Sequence, residues 1–289
     1  MIRFSRILFP VDLSQQSREA APFVTAMAAR FNSKVIVLYV LDPRLSYYPL
    51  PAAATPVALQ RDQDEREKRK KQFESFVAEL GGDLSVQPRL LEGDAAESIV
   101  LCGKEENVDL VMMPTRGYGR FRRLLLGSVT SKVLHDLACP VWTGVHTDDM
   151  WSRISQAWNR FLCAVDADVR DAPLLKWAAK FACEQHANLQ VVHAVQTAAP
   201  APGVESESLC DFLFSVARKS LEELQAEAGT KFDIRLRLGP VGHVVRETAL
   251  EQGADLILVG RGAIQKGFGR LRSSAYAVIR EAPCPVISL

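Results

Sequence analysis

The chain has no apolar run close to the ~20 residues that a helix needs to span a bilayer, so no membrane partner is expected. Residues 1–6 lead straight into a strand-like run and lack the layout of a secretory signal, so a cytoplasmic location is expected. The net charge of +1 over 289 residues leaves no global pull towards nucleic acid. The six cysteines include no C-x2-C pair, and no histidine stands at zinc-finger spacing. Buried, reduced thiols are the expectation for them. There is no G-x4-G-K-S/T phosphate loop and no G-x-S-x-G nucleophile elbow. Gly267 and Gly269 lack the third glycine of a dinucleotide fingerprint. The five histidines are scattered, with His193 in a strand pattern and His135 in a helical one. No Ser/His/Asp or Cys/His set and no metal site can be nominated. Rapid catalysis is therefore not expected, and at most slow ATP hydrolysis.

One local scarcity points the other way. Between Leu110 and His135 there is no Asp or Glu, while Arg116, Arg120, Arg122, Arg123 and Lys132 all fall inside that window. The apolar run 109–113 leads into it, and a helical pattern over 128–137 leads out. Pro114, Gly117, Gly127 and Ser128 lie between, so the stretch reads as strand, glycine-bearing loop and helix start. The first N–H groups of a helix lack intrahelical partners and sit at the positive end of its dipole. Such a start, ringed by arginines, suits a phosphate. Ser128 could equally be a plain N-cap, Gly117 a turn glycine and the arginines solvated surface.

The hydrophobic content of 48% with 24% charged residues is that of an ordinary globular protein. Strand patterns fall at 6–12, 34–40, 84–91, 109–113 and 141–144. Helical patterns lie between them, the first at about 17–30 with Ser14 as its cap and the second at 62–80 ending on Gly81 and Gly82. A Pro- and Ala-rich loop covers 42–56. The alternation implies a parallel α/β sheet. Then the order begins again. Phe161 to Asp166 repeats Ile7 to Asp12 at an offset of 166 − 12 = 154, and Asp255 to Gly260 repeats Asp109 to Pro114 at 255 − 109 = 146. Cys284-Pro-Val repeats Cys139-Pro-Val. Trp151 and Trp158 fall seven apart in the intervening linker.

The spacing Gly117-x9-Gly127-Ser128, closed by Cys139-Pro140-Val141, resembles the nucleotide loop of the universal stress protein family, Gly-x2-Gly-x9-Gly-Ser/Thr. The resemblance covers nearly the whole chain as two copies in tandem. It implies two Rossmann-like domains of the adenine nucleotide α-hydrolase type, at 1–146 and 159–289 with a linker at 147–158. Each would have a five-stranded parallel sheet of order 3-2-1-4-5. It further implies ATP or a related adenine nucleotide, with Mg accompanying it, in the first copy. The matching nucleotide-binding positions are Asp12 and Val40 at the base and Pro114, Arg116, Gly117, Arg120, Gly127, Ser128 and Val129 around the phosphates. Pro114 departs from the pattern by replacing the first glycine, and Pro offers no N–H and fixes φ at about −65°. The second copy departs further, with Ala263 for Gly117 and Arg272 for Gly127. The resemblance also implies an assembly, since single-domain members often dimerise through their fifth strands: 141–144 is expected to pair with 286–289 as an intrachain pseudo-dimer, with further homodimerisation and an unknown signalling protein as partners. The competing expectations are a scaffold without nucleotide and an adenylate-forming enzyme. The latter is disfavoured because neither H-x-G-H nor S-G-G-x-D-S occurs.

Overall fold

The first strand, β1 (Arg6–Val11), is apolar from its second residue onward and buried throughout that run. This is what a strand covered on both faces of a parallel sheet requires. The computed structural model describes residues 1–42, 56–82, 84–115, 126–144, 158–196, 206–261 and 273–289. The loop expected at 42–56, the linker at 147–158, and Ala263 and Arg272 fall outside these residues, apart from Asp42, Pro56 and Trp158.

The described chain divides into two compact units. The first, within 3–139, holds β1, α1 (Gln15–Phe31), β2 (Lys34–Leu41), α2 (Pro56–Gly81), β3 (Val86–Glu92), α3 (Ala95–Glu105), β4 (Leu110–Pro114) and α4 (Ser128–Asp136). Its strands run in the order β3-β2-β1-β4. All are parallel, with Val11 opposite Tyr39 and Leu8 opposite Val111. Helix α2 packs by aromatic residues one turn apart. Phe73 meets Tyr39 at 5.7 Å and Phe76 meets Phe9 at 6.1 Å between ring centroids. Each such buried ring contributes ~1.5–3 kcal/mol of hydrophobic stabilisation.

The second unit comprises Pro140–Leu289 with Met1, Ile2 and Leu126 among its described residues. It holds β5 (Val141–Gly144), β6 (Arg160–Ala164), a 3-10 turn (Val169–Asp171), α5 (Ala172–Glu184), β7 (Asn188–Val195), α6 (Ser206–Ala228), β8 (Ile234–Leu238), α7 (Val241–Gln252), β9 (Leu256–Val259), α8 (Ser273–Glu281) and β10 (Val286–Ser288). The order β10-β9-β6-β7-β8 is the 3-2-1-4-5 arrangement in the second repeat. Strand β5 lies antiparallel against β10, with Trp142 opposite Ile287. The ladder expected between 141–144 and 286–289 is thus present, and the fifth strand of the first repeat belongs to the second compact unit. Trp158, Phe161, Trp177 and Phe181 form one aromatic cluster, with Trp177 and Phe181 at 4.9 Å.

The repeat persists in single hydrogen bonds. Asp109 accepts from the N–H of Arg6 at 2.9 Å, and Asp255 accepts from that of Arg160 at 2.9 Å. Both aspartates also return their own N–H to the same partner's carbonyl, at 3.0 and 2.8 Å. Each closes the bottom of the β1–β4 or β6–β9 pair, which is why these apparent surface carboxylates recur in both copies.

Candidate functional site

In the first unit the strand ends of β1, β2 and β4 share one edge, because all three are parallel. Strand β1 has β2 on one side and β4 on the other. The sheet therefore reverses its winding direction at β1, and such a switch point leaves a crevice at the carboxyl ends. Asp12 stands there, one residue beyond β1. Its Oδ1 accepts the N–H of Ser14 at 3.0 Å and the hydroxyl of Ser17 at 2.7 Å. Ser17 Oγ in turn accepts the Asp12 N–H at 3.2 Å. Leu13 between them has φ 61°, the left-handed conformation that non-glycine residues adopt at a cost of ~1 kcal/mol or more. Ser14 caps α1 by accepting the Ser17 N–H, as its sequence position predicts. The half-buried Val40 lies next to the end of β2, where the register Val11–Tyr39 continues towards Asp12 and Val40.

The other wall comes from β4 and α4. Pro114 is the last residue of β4 and is buried, and the paired register with β1 ends earlier, at Leu8–Val111. A residue without an N–H is tolerated there because no ladder bond is required of it. Its carbonyl accepts the Thr130 hydroxyl at 3.3 Å. The buried Thr115 accepts the Gly127 N–H at 2.9 Å. These two bonds fasten the end of the strand to the start of the helix. Gly127 is the N-cap of α4, with φ −61° and ψ 145°, and supplies no side-chain cap. Ser128 is therefore the first helical residue and not the cap. It is exposed and Val129 half-buried. Helices α1 and α3 have side-chain oxygens on their first-turn N–H groups, from Ser14 and Asp94, whereas the start of α4 has no side-chain cap. Arg116, Gly117 and Arg120 lie outside the described residues.

Lys132 corrects the picture of an acid-free basic window. It sits on α4 and bonds Glu97 at 2.8 Å, with Asp94 at 3.6 Å. The hydrogen bond to Glu97 and the nearby carboxylates raise its pKa above the ordinary lysine value. Its charge is engaged by acids from α3 that no local stretch of sequence displays.

The second unit repeats the turn but changes its chemistry. Ala167, the counterpart of Leu13, has φ 57°. Asp168 accepts the Arg170 N–H at 2.9 Å where Ser14 caps α1. Asp171 takes the place of Ser17 and accepts the Asp166 N–H at 2.8 Å. It is 8% exposed and lines a cavity of about 20 Å³ with Asp166, Ala164, Val192, Gly260 and Ser274. That volume holds about one water. His193 on β7 meets the carbonyl of Val165 through Nδ1 at 2.8 Å.

The model of the universal stress protein family matches residues 3–143 and again 157–288. The chain belongs to this family. Universal stress protein MJ0531 of Methanocaldococcus jannaschii is 30% identical over 139 residues, covering 48% of this chain and 80% of that protein. A universal stress protein of Thermus aquaticus is 31% identical over 138 residues, covering 48% and 96%. Each of these spans one repeat's worth of this chain. A universal stress protein structure from Archaeoglobus fulgidus covers 99% of this chain and 96% of its own, with a TM-score of 0.66 at 22% identity. That likeness carries the tandem fold.

Of the positions matched to the family loop, the structure describes Asp12, Val40, Pro114, Gly127, Ser128 and Val129, all in the first unit's strand ends or in the start of α4. Sequence reading overlooked Ser17, Thr115 and Thr130, which hold those positions in place. Only Ser17 left a trace in the sequence. It stands five residues after Asp12, as Asp171 does after Asp166.

Proposed function

We propose that the first copy binds ATP or a related adenine nucleotide and that binding changes the protein's shape or its choice of partner. The observation that carries this reading is the oriented Asp12 carboxylate on the same sheet edge as the uncapped start of α4. A carboxylate held by Ser14 and Ser17 can accept a hydrogen bond from a base amino group. The N–H groups of Ser128 and Val129, at the positive end of the α4 dipole, suit phosphate oxygens. The family resemblance of the Gly127-Ser128 pair supports the assignment of ends. Arg116 and Arg120 are the arginines expected to reach phosphate. Among the described residues no group of three His, Cys, Asp or Glu could hold a metal ion. Mg would accordingly arrive on the nucleotide's phosphates, as it does where one or two protein groups complete its shell. This reading expects a cytoplasmic protein with a signalling partner and a homodimer.

The second reading, a stress scaffold without nucleotide, is favoured by Pro114. A proline has no N–H to offer where the family pattern has glycine. Mass spectrometry of ligands released from the purified protein, followed by calorimetric titration with ATP, separates the two. Co-purified adenine nucleotide or saturable binding supports the first. No heat at millimolar ATP supports the scaffold.

A further inference from the structure

We propose that Tyr276, a residue of the second copy, positions the phosphate end of the first copy's site, an inference that rests on the nucleotide reading of that copy. The Leu126 N–H donates to the Tyr276 hydroxyl oxygen at 3.2 Å, across 150 residues of sequence. Leu126 is 8% exposed and belongs to the second compact unit, as the half-buried Tyr276 on α8 does. Leu126 also stands immediately before Gly127, the N-cap of α4, whose carbonyl accepts the Ser131 N–H at 2.8 Å. One peptide bond thus joins a residue fastened within the second unit to the start of the helix proposed to face the phosphates.

The neighbouring bonds leave a specific task to this one. The Gly127 N–H goes to the Thr115 carbonyl at 2.9 Å, and the Thr130 hydroxyl to the Pro114 carbonyl at 3.3 Å. Both tie the start of α4 to the end of β4, and neither holds the residue before the N-cap. Gly127 has no side-chain cap, and glycine restricts its own backbone least of all residues. The direction in which the chain enters α4 is therefore set by what holds Leu126. That direction decides where the Ser128 and Val129 N–H groups point, and hydrogen bonds weaken steeply as their angle departs from linear. A buried N–H that loses its acceptor has to find another, so without the hydroxyl the entry shifts.

The first copy has no tyrosine to return the contact. At the offset 284 − 139 = 145 that aligns the two Cys-Pro-Val segments, Tyr276 falls opposite residue 276 − 145 = 131, which is Ser131. A serine side chain ends one heavy atom beyond Cβ and lacks the reach of a tyrosine hydroxyl. The second copy supports the site of the first through this position, and the first does not repay it.

Tyr276→Phe removes the hydroxyl and keeps the ring. ATP titrated calorimetrically into the full chain is expected to bind this variant about three- to tenfold more weakly than the wild type, the scale of one neutral hydrogen bond. Adenosine, which has no phosphate, is expected to bind both alike. Amide exchange followed by NMR is expected to quicken at Leu126 in the variant. Leu221→Ala controls for stability alone. It hollows the core beneath α6, which packs on α5, and is expected to lower the unfolding midpoint and leave ATP affinity unchanged. Wild-type ATP affinity in Tyr276→Phe overturns the inference. An equal loss for ATP and adenosine overturns it by spreading the effect over the whole crevice, and an equal loss of ATP in Leu221→Ala by tracing it to stability. If the wild type binds no ATP, the nucleotide reading itself falls. Faster exchange at Leu126 in Tyr276→Phe would then show an anchor that serves no phosphate site, and the positioning role falls as well.

Discussion

Ser17 gives its hydroxyl proton to Asp12 Oδ1 over 2.7 Å and receives the Asp12 N–H over 3.2 Å. The two residues are five apart, on opposite sides of a turn that runs through a left-handed Leu13. This pair fixes which way the carboxylate at the end of β1 faces. In the second copy the same backbone turn carries Asp166 and Asp171, and Asp171 accepts the Asp166 N–H. Duplication has kept the scaffold of the turn and changed what it presents.

The first prediction follows from that orientation. Asp12→Ala is expected to weaken ATP by about ten- to a hundredfold, the equivalent of a hydrogen bond to a charged group at ~1.5–3 kcal/mol. Pyrophosphate, which has no base, is expected to bind the variant nearly as it binds the wild type. Parallel calorimetric titrations measure both. An equal loss for the two ligands would place Asp12 at the phosphate end and reverse the assignment.

Stability at the same turn is separable from binding. Ser14 is 3% exposed, and its side chain accepts the Ser17 N–H at the start of α1. Ser14→Ala is expected to cost about 1 kcal/mol, as N-cap removals do. Urea unfolding followed by circular dichroism reads this as a lower midpoint with an unchanged slope.

The parts of this fold that could be read in the sequence are those set by short-range pattern. The buried strands announce themselves as apolar runs, and the caps Ser14 and Asp94 stand one position before their helices. The β5–β10 ladder was legible only through family resemblance, since nothing in Val141–Gly144 names its partner. The site was legible at Asp12 and at Gly127-Ser128, where a strand end and a helix start carry distinctive residues. It was not legible at Thr130, whose hydroxyl bonds the Pro114 carbonyl across the strand–helix joint. A threonine in a helix looks the same whether or not it reaches a neighbour. Lys132 shows the converse limit. Its window is free of acid along the chain, yet α3 delivers Asp94 and Glu97 to it in space.

Trp142 offers a packing test of the β5–β10 ladder. Its buried ring lies over Gly144, where an added Cβ would come within 2.7 Å of the indole. A ring already 2% exposed has little room to withdraw. Gly144→Ala is expected to destabilise the chain by ~1–3 kcal/mol, the usual range for overpacking. A thermal midpoint equal to that of the wild type would show that the ladder yields easily.

The cysteines give a prediction about reactivity. Burial pushes the thiols of Cys163 and Cys102 above the ordinary cysteine range, with the Asp171 carboxylate adding to the rise at Cys163. A raised pKa keeps these thiols protonated and poorly nucleophilic as pH climbs through neutrality. Cys183 is exposed. Iodoacetamide labelling of the folded protein at pH 8, read by mass spectrometry, is expected to modify Cys183 first and leave Cys102 and Cys163 unmodified until denaturant is added. Early labelling of Cys163 would contradict the packing around β6.

Gly127 allows the sharpest test of the phosphate end. Its φ of −61° and ψ of 145° lie in an extended region open to any residue, so a side chain there brings no backbone strain. It also caps α4 through its carbonyl, which accepts the Ser131 N–H at 2.8 Å whatever the side chain is. Gly127→Arg, the residue type that stands at Arg272 in the second copy, should therefore leave the fold and its unfolding midpoint nearly unchanged. Its guanidinium would occupy the space in front of the Ser128 and Val129 N–H groups and take the place of the phosphates. Binding of ATP is expected to fall by more than the ten- to hundredfold that one charge-assisted hydrogen bond represents, because exclusion removes every phosphate contact at once. Gly127→Ala, small and uncharged, is expected to retain most of the affinity. If both variants bind ATP as the wild type does, the phosphates do not approach the start of α4. If both fail equally, the close approach of backbone to ligand is what matters there, and the arginine adds nothing to it.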